Sequence, residues 1–291
     1  MNEFGDGRNQ HLQRALQFGA IYHSRPLSRA LAAYYRRADH PLKLRILSYI
    51  EHALGEKRIV ANTQYGFDMA VDRADYIQRR LLYEGVWEPR VSAALWGELM
   101  SEDVFFDVGA NVGYFTCLAL RKRIRQVVAF EPDPLTREVL ALNLHLNNFS
   151  KKDAVVVLPM ALSDSTESRL FYRTHVSNTG QSGFTSRNAV GAFEVKVATL
   201  DNLLSDRRLR APTVLKIDVE GWEDNVLRGA QNLLKKQPPR VIIFETDSLP
   251  NGDIASAALS SVLVSYGYSI APLVERNRPD EKAEFIARRI Q

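Results

Sequence analysis

From Val104 onward the chain alternates short apolar runs with amphipathic stretches, and this alternation constrains the fold more than any other feature of the sequence. Strands separated by helical periods return to the same sheet edge by crossover, which builds a mostly parallel sheet with helices on both faces. The runs fall at 104–108, 127–130, 155–158, 214–217 and 241–244, the last preceded by the stopping pair Pro238 and Pro239. Helical periods extend from Gly113 to about Lys122, from Pro134 to Leu146 and from Glu223 to about Lys235. The expected fold class is α/β, doubly wound.

Residues 163–201, between the third and fourth runs, exceed the few residues such a connection needs. Ser168 to Tyr172 and Phe193 to Val197 alternate apolar and polar side chains, predicting a β-hairpin arm at about 165–200 around the polar tip HVSNTGQSGFTSRN. The arm is a candidate substrate lid. Before residue 61 the pattern is helical. Ile46, Ile50 and Leu54 recur every fourth residue after Pro41, with Leu47 alongside and Gly55 placed to end the helix, while Leu27, Leu31, Tyr34 and Tyr35 are similarly spaced in 26–38. The expected organisation is a helical extension at 1–60 and a main domain at 61–291.

Composition limits the function classes. Cys117 is the single cysteine among 291 residues, which excludes an intramolecular disulfide framework and a thiolate cluster and fits a reducing cytosol. The first residues lack an uninterrupted apolar core, and no stretch approaches the ~20 apolar residues of a membrane span, so a cytoplasmic protein is expected. The net charge of +4 is concentrated early: residues 1–58 carry 10 basic and 5 acidic side chains, and the remaining 28 and 29 nearly cancel. The extension could touch an anionic surface peripherally, although a solvated helix face explains the same charges, and nucleic-acid binding is not expected.

The chemistry begins at DVGANVGYF, residues 107–115, where Asp107, Gly109, Asn111 and Gly113 stand at alternate positions across a strand-to-helix turn, with Ala110 between. Glycines permit tight turning and close ligand approach, and free amides at a helix start favour a negative group. Glu131, followed by Pro132, lies 22 residues after Gly109 at the end of the second strand, where a carboxylate can accept from both hydroxyls of a ribose. A dinucleotide fingerprint would need glycines where Asn111 and Tyr114 stand. That disfavours a nicotinamide-dependent oxidoreductase and leaves S-adenosylmethionine, whose carboxylate is less demanding. A binding module of this fold without chemistry is the second alternative.

Several segments in order, EGVWEP at 84–89, DVGANVGYF, FEPDP at 130–134, ALSD at 161–164 and LKIDVEGWEDNVLRGA at 215–230, resemble the FkbM-type methyltransferases, a subgroup of the class I S-adenosylmethionine-dependent enzymes. The resemblance covers roughly residues 80–250. It implies a Rossmann-like, seven-stranded class I sheet and O-methylation of a sugar or polyketide-like hydroxyl acceptor. By position it implies that Gly109, Asn111 and Gly113 line the methionine side, Glu131 the ribose, and Ser163 with Asp164 the adenine edge.

Methyl transfer from a sulfonium is an in-line displacement, so the acceptor oxygen must be held opposite the sulfur and relieved of its proton. Lys216, Asp218 and Glu220 alternate at the end of the fourth run and point to one face while the strand persists. Asp218 is the first candidate for a general base or orienting carboxylate, and a cofactor contact as well. Glu220, Lys216 and Glu245 come next, with His175 in the arm as a further base. Lys216 and Glu220 could instead form an internal ion pair, and Glu223 and Asp224 read as first-turn helix charges. A divalent ion on Asp218, Glu220 or Glu245 suits hard oxygen ligands, but no spacing demands one. Trp87 and Glu88 could close over the cofactor, with packing of Trp87 the competing reading. Tyr114 and Phe115 could border the pocket, with core packing the favoured reading, and Cys117 reads as a core residue.

Overall fold

The computed structural model describes residues 58–72, 75–149, 154–174, 182–184, 189–206, 209–247, 254, 256–273 and 282–290, with scattered positions between 30 and 49. A hairpin of β1 (Arg58–Asn62) and β2 (Asp68–Asp72) leads into α1 (Tyr76–Glu84) and α2 (Pro89–Glu98). The alternation follows as β3 (Val104–Val108), α3 (Tyr114–Arg121), β4 (Gln126–Phe130), α4 (Pro134–Leu146) and β5 (Val155–Leu158). The arm contributes β6 (Met160–Leu162), β7 (Glu167–Arg173) and β8 (Gly191–Ala198). The chain then passes through α5 (Leu200–Ser205), β9 (Val214–Ile217), α6 (Glu223–Arg228), α7 (Gln231–Lys236), β10 (Val241–Asp247), α8 (Ala257–Ser265), β11 (Tyr268–Pro272) and β12 (Lys282–Arg289).

Among the described residues, seven strands form one sheet in the order β5-β4-β3-β9-β10-β12-β11. β3, β4, β5, β9 and β10 run parallel, and β12 is antiparallel to both neighbours. The doubly wound, seven-stranded Rossmann-like sheet is therefore present. The order turns back at β3, so β4 and β9 lie on either side of it, and crevices open at such switch points.

Strand alternation sends side chains to two separate cores. Phe105, Val127, Ala129, Val214 and Ile243 pack on one face against Leu81, Leu95 and Leu118 from α1, α2 and α3. Phe106, Val128, Phe130, Leu215 and Phe244 pack on the other against Val226, Leu234 and Leu263 from α6, α7 and α8. Each of the Val, Leu, Ile and Phe side chains contributes roughly 1.5–3 kcal/mol relative to exposure. On the first face the apolar pattern ends in charge: Asp107 pairs in register with Lys216, and Glu245 with Glu284. Asp107, Lys216 and Glu245 follow Phe105, Val214 and Ile243 at period two, and Glu284 precedes Ile286 on the antiparallel β12, so the same alternation that fills the core delivers polar groups to the sheet's carboxyl edge.

Local differences from the sequence reading have identifiable causes. The helix expected from Glu223 to Lys235 is two helices, α6 and α7, broken at Gly229 and Ala230. A Cβ on Gly229 would lie 2.0 Å from the Ser163 carbonyl oxygen, so this residue is fixed by close backbone approach. β10 runs on to Asp247, and β1, β2 and β6 form without having been anticipated. The hairpin's Ile59, Met69 and Val71 belong to the first core. In the extension Leu47 is buried in that core with Tyr34 and Tyr35 against it, whereas Ile46 is exposed. Leu27, Leu31, Ile50 and Leu54 lie outside the described residues. No helix among the described residues is long and apolar enough to cross a membrane.

The arm is a three-stranded sheet, order β6-β8-β7, in which Phe171 faces Phe193 across the antiparallel β7–β8 ladder. Ala161, Phe171, Val195 and Val197 give it a small core of its own.

Candidate active site

A cavity of about 170 Å³ opens at the carboxyl edge between β4, β3 and β9, with the arm over it. Gly109, Ala110, Asn111, Glu131, Pro132, Lys216, Asp218, Glu220 and Glu245, all sequence candidates, meet along its wall. Phe171, Ser182, Gly183 and Phe184 reach it from the arm. Asp107, Gly113, Ser163 and Asp164 do not line it, and His175 lies outside the described residues.

The turn after β3 is shaped chiefly by the protein's own packing. Gly109 has φ 82°, and a Cβ there would lie 1.8 Å from the Asp218 carbonyl oxygen. Gly113, at φ 86°, would press a Cβ against Leu140 of α4 at 2.9 Å. Chain contacts alone are enough to require both glycines. The Asn111 amide, expected to be free for a ligand, donates to Glu131 Oε2 at 2.8 Å, and the Asp133 amide donates to Oε1 at 2.8 Å. A carboxylate has about four lone-pair sites, so two remain for hydroxyl donors. Burial, with Asp133 nearby and against the two amides, pushes Glu131 up to about 7. Asn111 itself sits in the left-handed region at φ 49°, and its buried Oδ1 has no hydrogen-bond partner.

The second cluster lies across the cavity. β9 ends at Ile217, so Asp218 follows the strand and Glu220 enters a left-handed turn at φ 54° before Gly221. Lys216 Nζ nevertheless reaches Asp218 Oδ2 at 2.8 Å, an ion pair with the residue two positions on. The ammonium also stands 4.5 Å from the Phe115 ring centroid. Burial draws Lys216 downward, but the charges of Asp218, Glu88 and Asp107 outweigh it and hold the lysine protonated. Asp107 is wholly buried beneath, one oxygen accepting from Thr116 Oγ1 at 2.6 Å and the other unpartnered. Asp218, Glu220 and Glu245 each offer an oxygen within 4.8 Å of one another. These are the three carboxylates the sequence reading named for a divalent ion, and Lys216 already supplies a positive charge to one of them, Asp218.

A family model for the methyltransferase FkbM domain matches residues 107–270, more than half of the chain. The chain belongs to the FkbM methyltransferase family. It is 31% identical over 148 residues to hexuronic acid methyltransferase AglP of Haloferax volcanii, covering 51% of this chain and 58% of that protein. It is 30% identical over 187 residues to methyltransferase 1 of Beauveria bassiana, covering 58% of this chain and 73% of that protein. The chain thus spans less than two thirds of the haloarchaeal relative's length. A crystal structure of methyltransferase FkbM from Methylobacillus flagellatus KT aligns with 89% of this chain and 58% of that chain, at 15% identity and TM-score 0.46.

The remaining candidates in this FkbM-family chain are bound into its framework. Ser163 Oγ accepts from Trp222 Nε1 at 3.0 Å and donates to Asp164 Oδ1 at 3.0 Å, while Asp164 Oδ2 accepts from Arg228 Nε at 3.2 Å. This chain of bonds fastens the end of β6 to α6, and the Asp164 carboxylate turns toward Asn225 and Arg228. Glu223 accepts from the Val219 and Gly221 amides, and Asp224 from Ser256 Oγ, so both serve the fold as their helix positions suggested. Cys117 is fully buried, and burial with the neighbouring Asp107 charge pushes its thiol upward, leaving no nucleophile. Tyr114 and Phe115 are buried as expected, yet both also border the cavity.

Three functional features escaped the sequence reading. Glu88 faces the cavity beside Lys216 and Asp218, although only cofactor closure was considered for it. Glu284 lines an adjoining hollow with Glu88 and Glu245, and its buried Oε2 has no partner. Its one legible signal is a charge inside the apolar run AEFIA of β12. The third is a clasp: Arg173 on β7 grips Asp133 through Nε at 2.6 Å and a terminal nitrogen at 2.7 Å, tying the arm to the segment that carries Glu131.

Proposed function

We propose that this FkbM-family chain transfers a methyl group from S-adenosylmethionine to a hydroxyl oxygen of a small molecule or glycan, a sugar hydroxyl being favoured by the hexuronic acid relative. The observation that carries the proposal is the pairing of two unsatisfied acceptor sites in one cleft wall. Asn111 Oδ1 is buried without a donor, and Glu131 keeps lone pairs free beyond its two backbone amides. An ammonium and a ribose diol are the donors that complete this set, and the residues present fit the amino-acid tail and the sugar of the same nucleoside.

When bound there, S-adenosylmethionine supplies an electrophilic methyl on a positively charged sulfur. Every other requirement falls to the chain. Glu131 and Asn111 hold the nucleoside, the Lys216–Asp218 pair presents a fixed carboxylate oxygen to orient the acceptor hydroxyl, and Phe171 and Phe184 of the arm shield the cleft from water. Orientation of this kind lowers the barrier by fixing the oxygen in line with the departing sulfur.

Two measurements test the reading together. Calorimetric titration with S-adenosylmethionine should show stoichiometric binding, and incubation of cell extracts with isotopically labelled methyl donor, followed by mass spectrometry, should yield a methyl ether product. Absence of both would remove the assignment, while binding without transfer would favour a non-catalytic module.

A further inference from the structure

We propose that Glu88 is the group that accepts the proton of the acceptor hydroxyl, a role that rests on the methyl-transfer reading above. Four observations converge on it. Glu88 stands at the N-cap of α2 with φ 42° and ψ 73°, immediately before Pro89, and its side chain makes no capping bond to the helix. A non-glycine residue in the left-handed region is strained, and such strain persists where surrounding structure holds the residue in place. The backbone still serves the helix, since Ser92 donates to the Glu88 carbonyl at 2.8 Å. The side chain is thereby released from capping and turned into the cavity.

Second, Glu88 borders both the main cavity and the small hollow beside it, which Lys216, Asp218, Glu245 and Glu284 also line. It stands on α2, whereas the other four stand on or just beyond the sheet strands, so a hydroxyl between them would meet carboxylates from two directions. Third, Asp218 is already engaged, its Oδ2 lying 2.8 Å from a Lys216 ammonium whose side chain is only 4% exposed. No hydrogen bond from a described residue holds the Glu88 carboxylate in the same way.

Fourth, the charges around Glu88 set its basicity near neutral pH. Burial and then the Asp218 charge push it up to about 8, with Glu284 and Glu245 adding to the rise and Lys216 opposing it. Glu220 stands in the same cluster as Asp218 and Glu245, and Tyr114 is a further titratable neighbour, pushed up to about 12 by burial and thus uncharged here. A base of this strength is matched to its task at ambient pH. In the step, the acceptor oxygen forms its bond to the methyl carbon as the carbon–sulfur bond breaks. The breaking pair goes to sulfur, which becomes a neutral thioether. The hydroxyl proton passes to the Glu88 carboxylate and is afterwards lost to water.

The test compares wild type, Glu88→Gln and Glu88→Asp, with labelled S-adenosylmethionine as donor and the extract glycan fraction as acceptor, between pH 6 and pH 10. Wild-type turnover should rise with pH through about 8, because the ionised form is the active one. Glu88→Gln should keep S-adenosylmethionine affinity within about twofold and lose about 10²–10⁴ in rate, and that limb should vanish. Glu88→Asp should retain an intermediate rate with the limb displaced. Full activity in either folded variant with an unchanged limb would overturn the role, as would loss of cofactor binding in Glu88→Gln. If Glu88→Gln does not fold, a folded Glu88→Asp decides on the same criteria. A wild type that neither binds S-adenosylmethionine nor transfers label would instead sink the methyl-transfer reading itself.

Discussion

Lowering the pH from 8 to 6 should weaken S-adenosylmethionine binding by about tenfold, and Glu131 is the reason. In the free protein its carboxyl is pushed up to about 7 by burial, so the ionised fraction falls from roughly nine tenths to roughly one tenth over that interval, which is about 1.4 kcal/mol if only the ionised form receives both ribose hydroxyls. The fold itself responds in the opposite sense. Glu131 is raised from 4.5, so its proton-linked stability is present at low pH and is lost as pH rises through about 7. Glu131→Gln removes the titration and does further harm. One of the Asn111 and Asp133 amides, each at 2.8 Å from a carboxylate oxygen, would then face an amide NH₂ in place of an acceptor. Affinity should drop by about 1.5–3 kcal/mol, the scale of a hydrogen bond to a charged group, and Glu131→Ala by about 1–3 kcal/mol. Calorimetric titration at constant ionic strength from pH 5.5 to 8.5 reads both effects. Wild-type affinity independent of pH, or a Glu131→Gln protein binding as tightly as wild type, would refute the argument.

Asp218→Asn should abolish turnover while cofactor affinity is largely kept, and the melting temperature should fall because Lys216 loses the anion at 2.8 Å; full activity would remove Asp218 from the site. Gly109→Ala combines a left-handed backbone, about 1–2 kcal/mol, with a contact 1.8 Å from the Asp218 carbonyl oxygen, so denaturant unfolding should show a loss of about 2–5 kcal/mol. Arg173→Met opens the clasp on Asp133, whose side chain is 3% exposed, and should raise the acceptor KM more than the cofactor Kd. Equal effects on both constants would mean that the clasp only stabilises the ribose segment.

The legibility of this chain follows from the range over which each feature is determined. α4 could be read to the residue because its cap is local: Asp133 accepts from Leu135 and Pro134 occupies the first helical position. The parallel strands were equally plain, since burial on both faces writes a continuous apolar run in adjacent residues. The helix break at Gly229 was not legible because its constraint is the Ser163 carbonyl, 66 positions away. Which of Ile46 and Leu47 is buried depends on the neighbours that pack there, and periodicity alone does not specify them.

The site shows the same division in a sharper form. DVGANVGYF located the turn because glycines are needed there, yet the approach of Asp218 and Leu140 is by itself enough to require Gly109 and Gly113. Glycines demanded by packing and glycines demanded by a ligand leave the same letters in a sequence. What distinguishes the turn as a binding site is Asn111, whose oxygen is buried and unpartnered, and Glu131, whose two amides leave lone pairs over. At the level of letters Glu88 was visible only as a member of EGVWEP that could close over the cofactor. Only the left-handed backbone and the convergence of β9, β10 and β12 on its carboxylate give it a chemical role. Residue types therefore locate this cleft, and unsatisfied atoms within it specify the chemistry it can perform.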